Sequence, residues 1–122
     1  MTRALVVDDT ALNLKLVAAL LRANSFDVDT AESAEEANDK LAAKPFDVLL
    51  LDLRLPGMDG LELARLLRAD PKHRALVIVA VTANAMKTDE AAALQAGCDA
   101  FVTKPIDTRA LVPMLRRLTR GS

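Results

Sequence analysis

Short apolar runs alternate along the chain with longer amphipathic stretches. The runs are residues 4–7, 48–51, 76–81 and 100–102, with a weaker one at 26–28. They are rich in Val, Leu and Ile and do not alternate with polar residues, which is how strands covered on both faces read; such strands are usually parallel. Between them lie five helical stripes. Leu12, Leu16 and Leu20, with Val17 and Leu21 beside them, predict the first; Ala34, Ala37 and Leu41 the second; Leu63, Leu66 and Leu67 the third. An Ala-rich segment over 86–96 gives the fourth, and Leu111, Val112, Leu115 and Leu118 the fifth. Start and stop signals agree. Ser33 with Glu36 and Asp59 with Glu62 have capping-box spacing. Asp107 suits an N-cap, and Gly97 stands where the fourth helix should end. Pro113 falls six residues into the fifth helix, too deep for the tolerated first turn, and predicts a kink near 109–113 or a later start. A strand–helix pair repeated five times implies a parallel sheet with helices on both faces.

The chain's 122 residues suit one domain with a sizeable core. Its apolar fraction of 52% excludes a disordered tail. Sixteen basic against 17 acidic side chains leave a net charge of -1, which argues against a nucleic-acid partner. The aromatic set is Phe26, Phe46 and Phe101, too sparse for a base-stacking platform. Phe26 and Phe46 flank strands and read as core, and His73 sits in a polar loop. Cys98 is the lone cysteine, and the N-terminus carries no apolar leader, so a reducing cytoplasm is the expected compartment. No apolar run approaches a membrane span.

Ligands of open α/β sheets bind beyond the carboxyl ends of the strands, where strand order reverses. Asp8 and Asp9 follow the first run, Asp52 the third, Thr82 the fourth, and Thr103, Lys104 and Pro105 the fifth. Taken singly, each has an ordinary explanation: an Asp or Thr after a strand often caps the next helix, and a Lys is often a solvated charge. Taken together, three carboxylates, a hydroxyl and an ammonium should converge on one edge. Three carboxylates repel, and one ammonium offsets only one of them. Either a carboxyl stays protonated or a cation with a taste for hard oxygen ligands, Mg²⁺ or Mn²⁺, binds. Such a group would attract a phosphoryl ligand, and a carboxylate can itself attack phosphorus.

Asp8-Asp9, the stretch from Leu49 to Gly60 around Asp52, Val81-Thr82-Ala83, Ala96-Gly97, and Phe101-Val102-Thr103-Lys104-Pro105 together resemble the response-regulator receiver (CheY-like) family over the whole chain. The resemblance implies a flavodoxin-like (βα)5 three-layer sandwich with a five-stranded parallel sheet of order 2-1-3-4-5. It implies one receiver domain over residues 1–122 without an output domain. Asp52 would be the phosphoacceptor. Asp9, Asp52 and the Arg54 carbonyl would bind Mg²⁺, with Asp8 holding metal-bound water. Lys104 would contact the phosphoryl group, and its bond to Pro105 would be cis. Thr82 and Phe101 would be the switch pair, and Ala83, Asn84 and Pro105 would line the pocket, with Arg54 and Asn84 at its mouth. The protein would act on its own Asp52 and slowly dephosphorylate rather than turn over a substrate. Expected partners are a histidine kinase or histidine phosphotransfer protein, and a target on the face of the fourth helix, fifth strand and fifth helix, with the chain a monomer or weak dimer. Asn13 and the segment 82–87 resemble phosphorelay receivers.

Two other classes on similar sheets fit less well. A Mg²⁺-dependent phosphatase with an Asp nucleophile spaces its first two aspartates one residue apart, whereas Asp8 and Asp9 are adjacent. A flavin-binding protein needs a Ser/Thr/Gly-rich phosphate loop where this chain has two acids.

Overall fold

The computed structural model describes residues 1–55, 57–83 and 87–120, without the side chains of residues 87–89 and 120. Strands and helices alternate: β1 (Arg3–Val7), α1 (Ala11–Ala23), β2 (Asp27–Ala31), α2 (Ala34–Ala43), β3 (Val48–Asp52), α3 (Gly60–Ala69), β4 (Val77–Thr82), α4 (Lys87–Gln95), β5 (Ala100–Thr103) and α5 (Thr108–Arg120). All strand pairs are parallel, in the order β2-β1-β3-β4-β5. The chain is thus the five-stranded flavodoxin-like sandwich that the sequence implies. Its order reverses between β1 and β3, which opens a crevice above their carboxyl ends.

The unbroken apolar runs feed two cores at once, because successive side chains of a strand leave on opposite faces. Leu5, Val7, Leu49, Leu51, Ile78 and Ala80 pack under α2 and α3, and Ala4, Val6, Val48, Leu50, Val79 and Val81 pack under α1 and α5. β2 is an edge strand, with Asp27 exposed and only Val28 and Ala31 buried. That accounts for its weak apolar signal. Phe26 is buried and Phe46 packs half-buried against the core.

Capping follows the predicted residues. Ser33 Oγ accepts from the Glu36 amide at 3.1 Å, and Asp59 Oδ1 from the Glu62 amide at 2.8 Å. Gly97 ends α4 at φ +104°, a region open to glycine at little strain.

Four expectations need correction. The buried stripe of α1 is Leu14, Ala18 and Leu21, whereas Leu12 and Leu16 are 64% and 61% exposed. This helix carries leucines around most of its circumference, so spacing alone chose the wrong face. In α3 the buried set is Leu63, Ala64 and Leu67, and Leu66 faces solvent. His73 lies in a short 3-10 turn over Pro71–His73, begun by the Asp70 carboxylate accepting from the Lys72 amide.

Pro113 neither delays nor divides α5. Asp107 Oδ1 accepts from the Arg109 and Ala110 amides at 3.0 and 3.3 Å, so the helix starts at Thr108, and it continues through the exposed Pro113. An interior proline costs a helix about 3 kcal/mol. Burial of Leu111, Val112 and Leu115, at roughly 1.5–3 kcal/mol each, outweighs that and holds the segment on the sheet.

Candidate functional site

The crevice above β1 and β3 collects the residues singled out by their place after each strand. Asp8 and Asp52 are buried and Asp9 is exposed beside them; one carboxylate oxygen from each lies within 4.8 Å of the others. β3 carries its ladder through Asp52, opposite Val81, so the carboxylate sits on a fixed strand end rather than on a loop. The Leu53 amide then donates to the Val81 carbonyl at 3.0 Å, tying the exit of β3 to β4. Thr82 is buried at the end of β4, and Ala83 after it is exposed. Lys104 reaches the crevice because its amide donates to the Thr82 carbonyl at 2.7 Å, and its bond to Pro105 is cis, as expected.

Lys104 Nζ stands 2.8 Å from Asp52 Oδ2 and 3.2 Å from Asp8 Oδ2. The other oxygens face backbone: Asp52 Oδ1 accepts from the Arg54 amide at 3.0 Å, and Asp8 Oδ1 from the Thr10 amide at 2.9 Å. Thr10 occupies the N-cap position of α1 without a side-chain capping bond. Burial pushes the Asp52 carboxyl above the usual range; the Lys104 hydrogen bond and the Arg54 amide pull it back, and the Asp8 charge adds to the rise. For Lys104, burial acts to lower the pKa, but its bonds and charges with Asp52 and Asp8 hold it above the ordinary value. One ammonium therefore serves two buried carboxylates, with a third alongside. The group retains an excess of negative charge and an all-oxygen donor set, the chemistry that suits Mg²⁺ or Mn²⁺.

Phe101 faces the register position of Ala80, two steps along from the Thr103–Thr82 pair. It and Thr82 thus lie on the same face of the sheet as neighbours. Phe101 is half-buried. Arg54 is exposed at the crevice rim, Pro105 is exposed beside Lys104, and Asn84 falls outside the described residues.

Two supporting residues had no role in the reading of the sequence. At Gly60 an added Cβ would stand 2.6 Å from the Asp52 carbonyl oxygen and 2.8 Å from Leu53 Cα, so α3 approaches the acceptor strand closely only because residue 60 lacks a side chain. Glu35, in the first turn of α2, accepts from the Met58 amide at 3.2 Å and steadies the loop after Asp52. The glycine in the β3–α3 motif was a visible signal for the first; nothing local marks the second.

The model of the response regulator receiver domain matches residues 4–116. The chain belongs to the response regulator receiver domain family. Among curated relatives, this receiver is 40% identical over 118 residues to the response regulator PleD of Caulobacter vibrioides, which covers 97% of this chain and 26% of PleD. It therefore spans about a quarter of that relative. It is 35% identical over 112 residues to the polar-differentiation response regulator DivK of Brucella abortus, covering 92% of this chain and 91% of DivK. Among solved structures, the receiver domain of the Pseudomonas aeruginosa sensor kinase PA1611, with magnesium coordinated in its active-site cleft, superposes with a TM-score of 0.90 at 32% identity over 99% of this chain and 98% of that one. The receiver of Saccharomyces cerevisiae Ssk1, crystallised with the phosphotransfer protein Ypd1, gives 0.91 at 26% identity over 98% and 89%. Receivers of this family serve two-component and phosphorelay signalling. No helix among the described residues is long and apolar enough to cross a membrane.

Proposed function

We propose that this receiver accepts a phosphoryl group on Asp52 in a Mg²⁺-dependent reaction and passes the event to a partner. The observation that carries the reading is the shared Lys104 ammonium between the buried Asp52 and Asp8 carboxylates. Two buried anions on one cation leave a position that a divalent ion would complete, held by Asp9, Asp52 and the Arg54 carbonyl, with Asp8 acting through water. The bound ion would shield the like charges of nucleophile and phosphoryl group. Everything else is done by the chain. β3 aims Asp52 into the crevice, and the Arg54 amide orients one of its oxygens. The attacking oxygen forms the new P–O bond as the P–N bond of a donor phosphohistidine breaks, and the imidazole leaves with the electron pair. Lys104 turns from carboxylate to phosphoryl oxygens, and the Thr82 hydroxyl donates to another. Hydrolysis later returns the free carboxylate, so the protein is a signalling acceptor rather than a turnover enzyme. The family favours this reading over a phosphatase.

The donor would be a histidine kinase or histidine phosphotransfer protein. A groove of about 210 Å³ adjoins the crevice, lined by Asp8, Asn13, Leu16, Val17, Leu20, Lys104 and Ile106. With Leu12 and Leu16 exposed, it offers an apolar seat within reach of Asp52. The co-crystallised Ssk1 receiver and Ypd1 supply the analogy for such a partner. On phosphorylation, Thr82 would move inward and Phe101 would follow, repacking the α4-β5-α5 face. Incubation with acetyl phosphate and Mg²⁺ should label the protein. EDTA should abolish the labelling, and full labelling in EDTA would overturn the metal requirement.

A further inference from the structure

Among the described residues, Arg68 is the side chain that hydrogen-bonds the end of α4 farthest from the crevice. Arg68, near the end of α3, donates from Nε to the Gly97 carbonyl at 2.7 Å and from Nη1 to the His73 carbonyl at 3.1 Å. Its Nη2 pairs with Asp99, and the same Asp99 oxygen accepts from the Ile78 amide at 2.8 Å. The Asp99 amide in turn donates to the Ile78 carbonyl at 2.7 Å. One guanidinium thus joins the end of α3, the 3-10 turn, the cap of α4 and the entry to β5. The stem of Arg68 runs directly over Gly97: a Cβ there would stand 2.2 Å from Arg68 Cγ. The cap beneath is closed by the Gly97 and Cys98 amides donating to the Leu94 and Ala93 carbonyls at 3.1 and 3.0 Å.

The place of this clasp gives it a meaning. α4 starts just beyond the end of β4, at the crevice edge where Thr82 sits, and it returns to the opposite edge of the sheet, where β4 and β5 begin. Its nine residues span about 14 Å. Among its described side chains only Ala93 is buried, with Ala96 just after the helix, so apolar packing holds it lightly. Leu94 and Gln95 face solvent. A displacement that begins at Thr82 therefore meets a helix whose Gly97 end is tied by Arg68.

We propose that Arg68 is a positioning residue that pins the Gly97 end of α4, so that the receiver switches by tilting α4 about that end rather than by releasing the helix. The proposal rests on Asp52 as the phosphoacceptor and adds to it the form of the motion. An exchange of Arg68 for Lys keeps the charge but loses the planar fork that bonds three acceptors at once.

Cys98, the only cysteine, reports on the clasp directly. Its thiol is buried beside Arg68 and Asp99, and burial pushes its pKa up to about 11. It should react slowly with a disulfide reagent such as DTNB until the cap opens. The experiment compares the wild-type protein and Arg68→Lys, with and without beryllofluoride and Mg²⁺, by amide NMR and by the rate of Cys98 modification. In the wild type, beryllofluoride should shift Thr82 and Phe101 strongly, leave Gly97, Cys98 and Asp99 almost unmoved, and leave the thiol rate unchanged. Arg68→Lys should raise the thiol rate by about tenfold or more and spread the shifts into residues 97–99, at unchanged far-UV circular dichroism. Wild-type shifts at 97–99 as large as those at Thr82, or a wild-type thiol rate raised by beryllofluoride, would overturn the pivot while leaving the phosphoacceptor intact. A beryllofluoride complex that shifts nothing at Thr82 would overturn both. The wild-type arm decides the matter even if the variant does not fold.

Discussion

Burial raises the pKa of Asp52 against the pull of Lys104 and the Arg54 amide, so the fold favours the neutral acid relative to an unfolded chain. A group whose folded pKa is raised contributes stability below its unfolded value, and that contribution is lost as the pH climbs through the folded value. The ionised carboxylate is therefore a liability at neutral pH in the absence of metal. Asp52→Asn should melt above the wild type in EDTA at neutral pH, and the gap should narrow as the pH falls through the carboxylate range. A variant that melts below the wild type at neutral pH would contradict this account, and calorimetry reads it directly. Gly60 is the complementary case. Its Cβ would collide with the backbone of Asp52 and Leu53, which cannot swing aside as a flexible side chain would. Gly60→Ala should cost about 1–3 kcal/mol in denaturant unfolding and displace the acceptor. The meeting of Asp52 and Lys104 was legible in the sequence because polar residues directly after apolar runs are few and must converge at one sheet edge. Glu35 and Arg68 were not, because Glu35 bonds the backbone amide of Met58 and Arg68, besides pairing with Asp99, bonds the carbonyls of His73 and Gly97, and backbone partners leave no mark on side-chain pattern.

Strands and caps were read correctly because their signals are local: a run buried on both faces, or a Ser or Asp three residues before a Glu. Helix faces were read less well. α1 is the clear instance, since Leu14 and Leu16 are equally apolar and only the docking of the helix decides between them. Leu14→Ala empties a core site and should cost roughly 2–5 kcal/mol. Leu16→Ala removes a side chain 61% exposed and should leave unfolding within about 0.5 kcal/mol of the wild type. It should instead slow phosphotransfer from a histidine donor while leaving labelling by acetyl phosphate unchanged, because on the proposed docking only a protein donor would use the groove beside α1. Equal loss with both donors would place the effect in the crevice rather than on the docking face. Pro113 shows the same limit from the other side. The cost of an interior proline is local, and the buried Leu111, Val112 and Leu115 keep α5 on the sheet from Thr108 onward through Pro113.

At the scale of the molecule, a parallel sheet gathers its chemistry at one edge and its anchors at the other. The Asp8, Asp52 and Lys104 group stands where strand order reverses, and the Arg68 clasp stands at the opposite edge, with α4 running between them. The identity of the modified side chain is the point on which the functional account turns. Phosphorylation with acetyl phosphate and Mg²⁺, followed by borohydride reduction and peptide mapping by mass spectrometry, tests it most directly. A phosphorylated aspartate is an acyl phosphate, which borohydride converts to homoserine. The account predicts homoserine at position 52 alone and no conversion in Asp52→Asn; conversion at Asp8 or Asp9, or phosphoryl incorporation undiminished in Asp52→Asn, would contradict it.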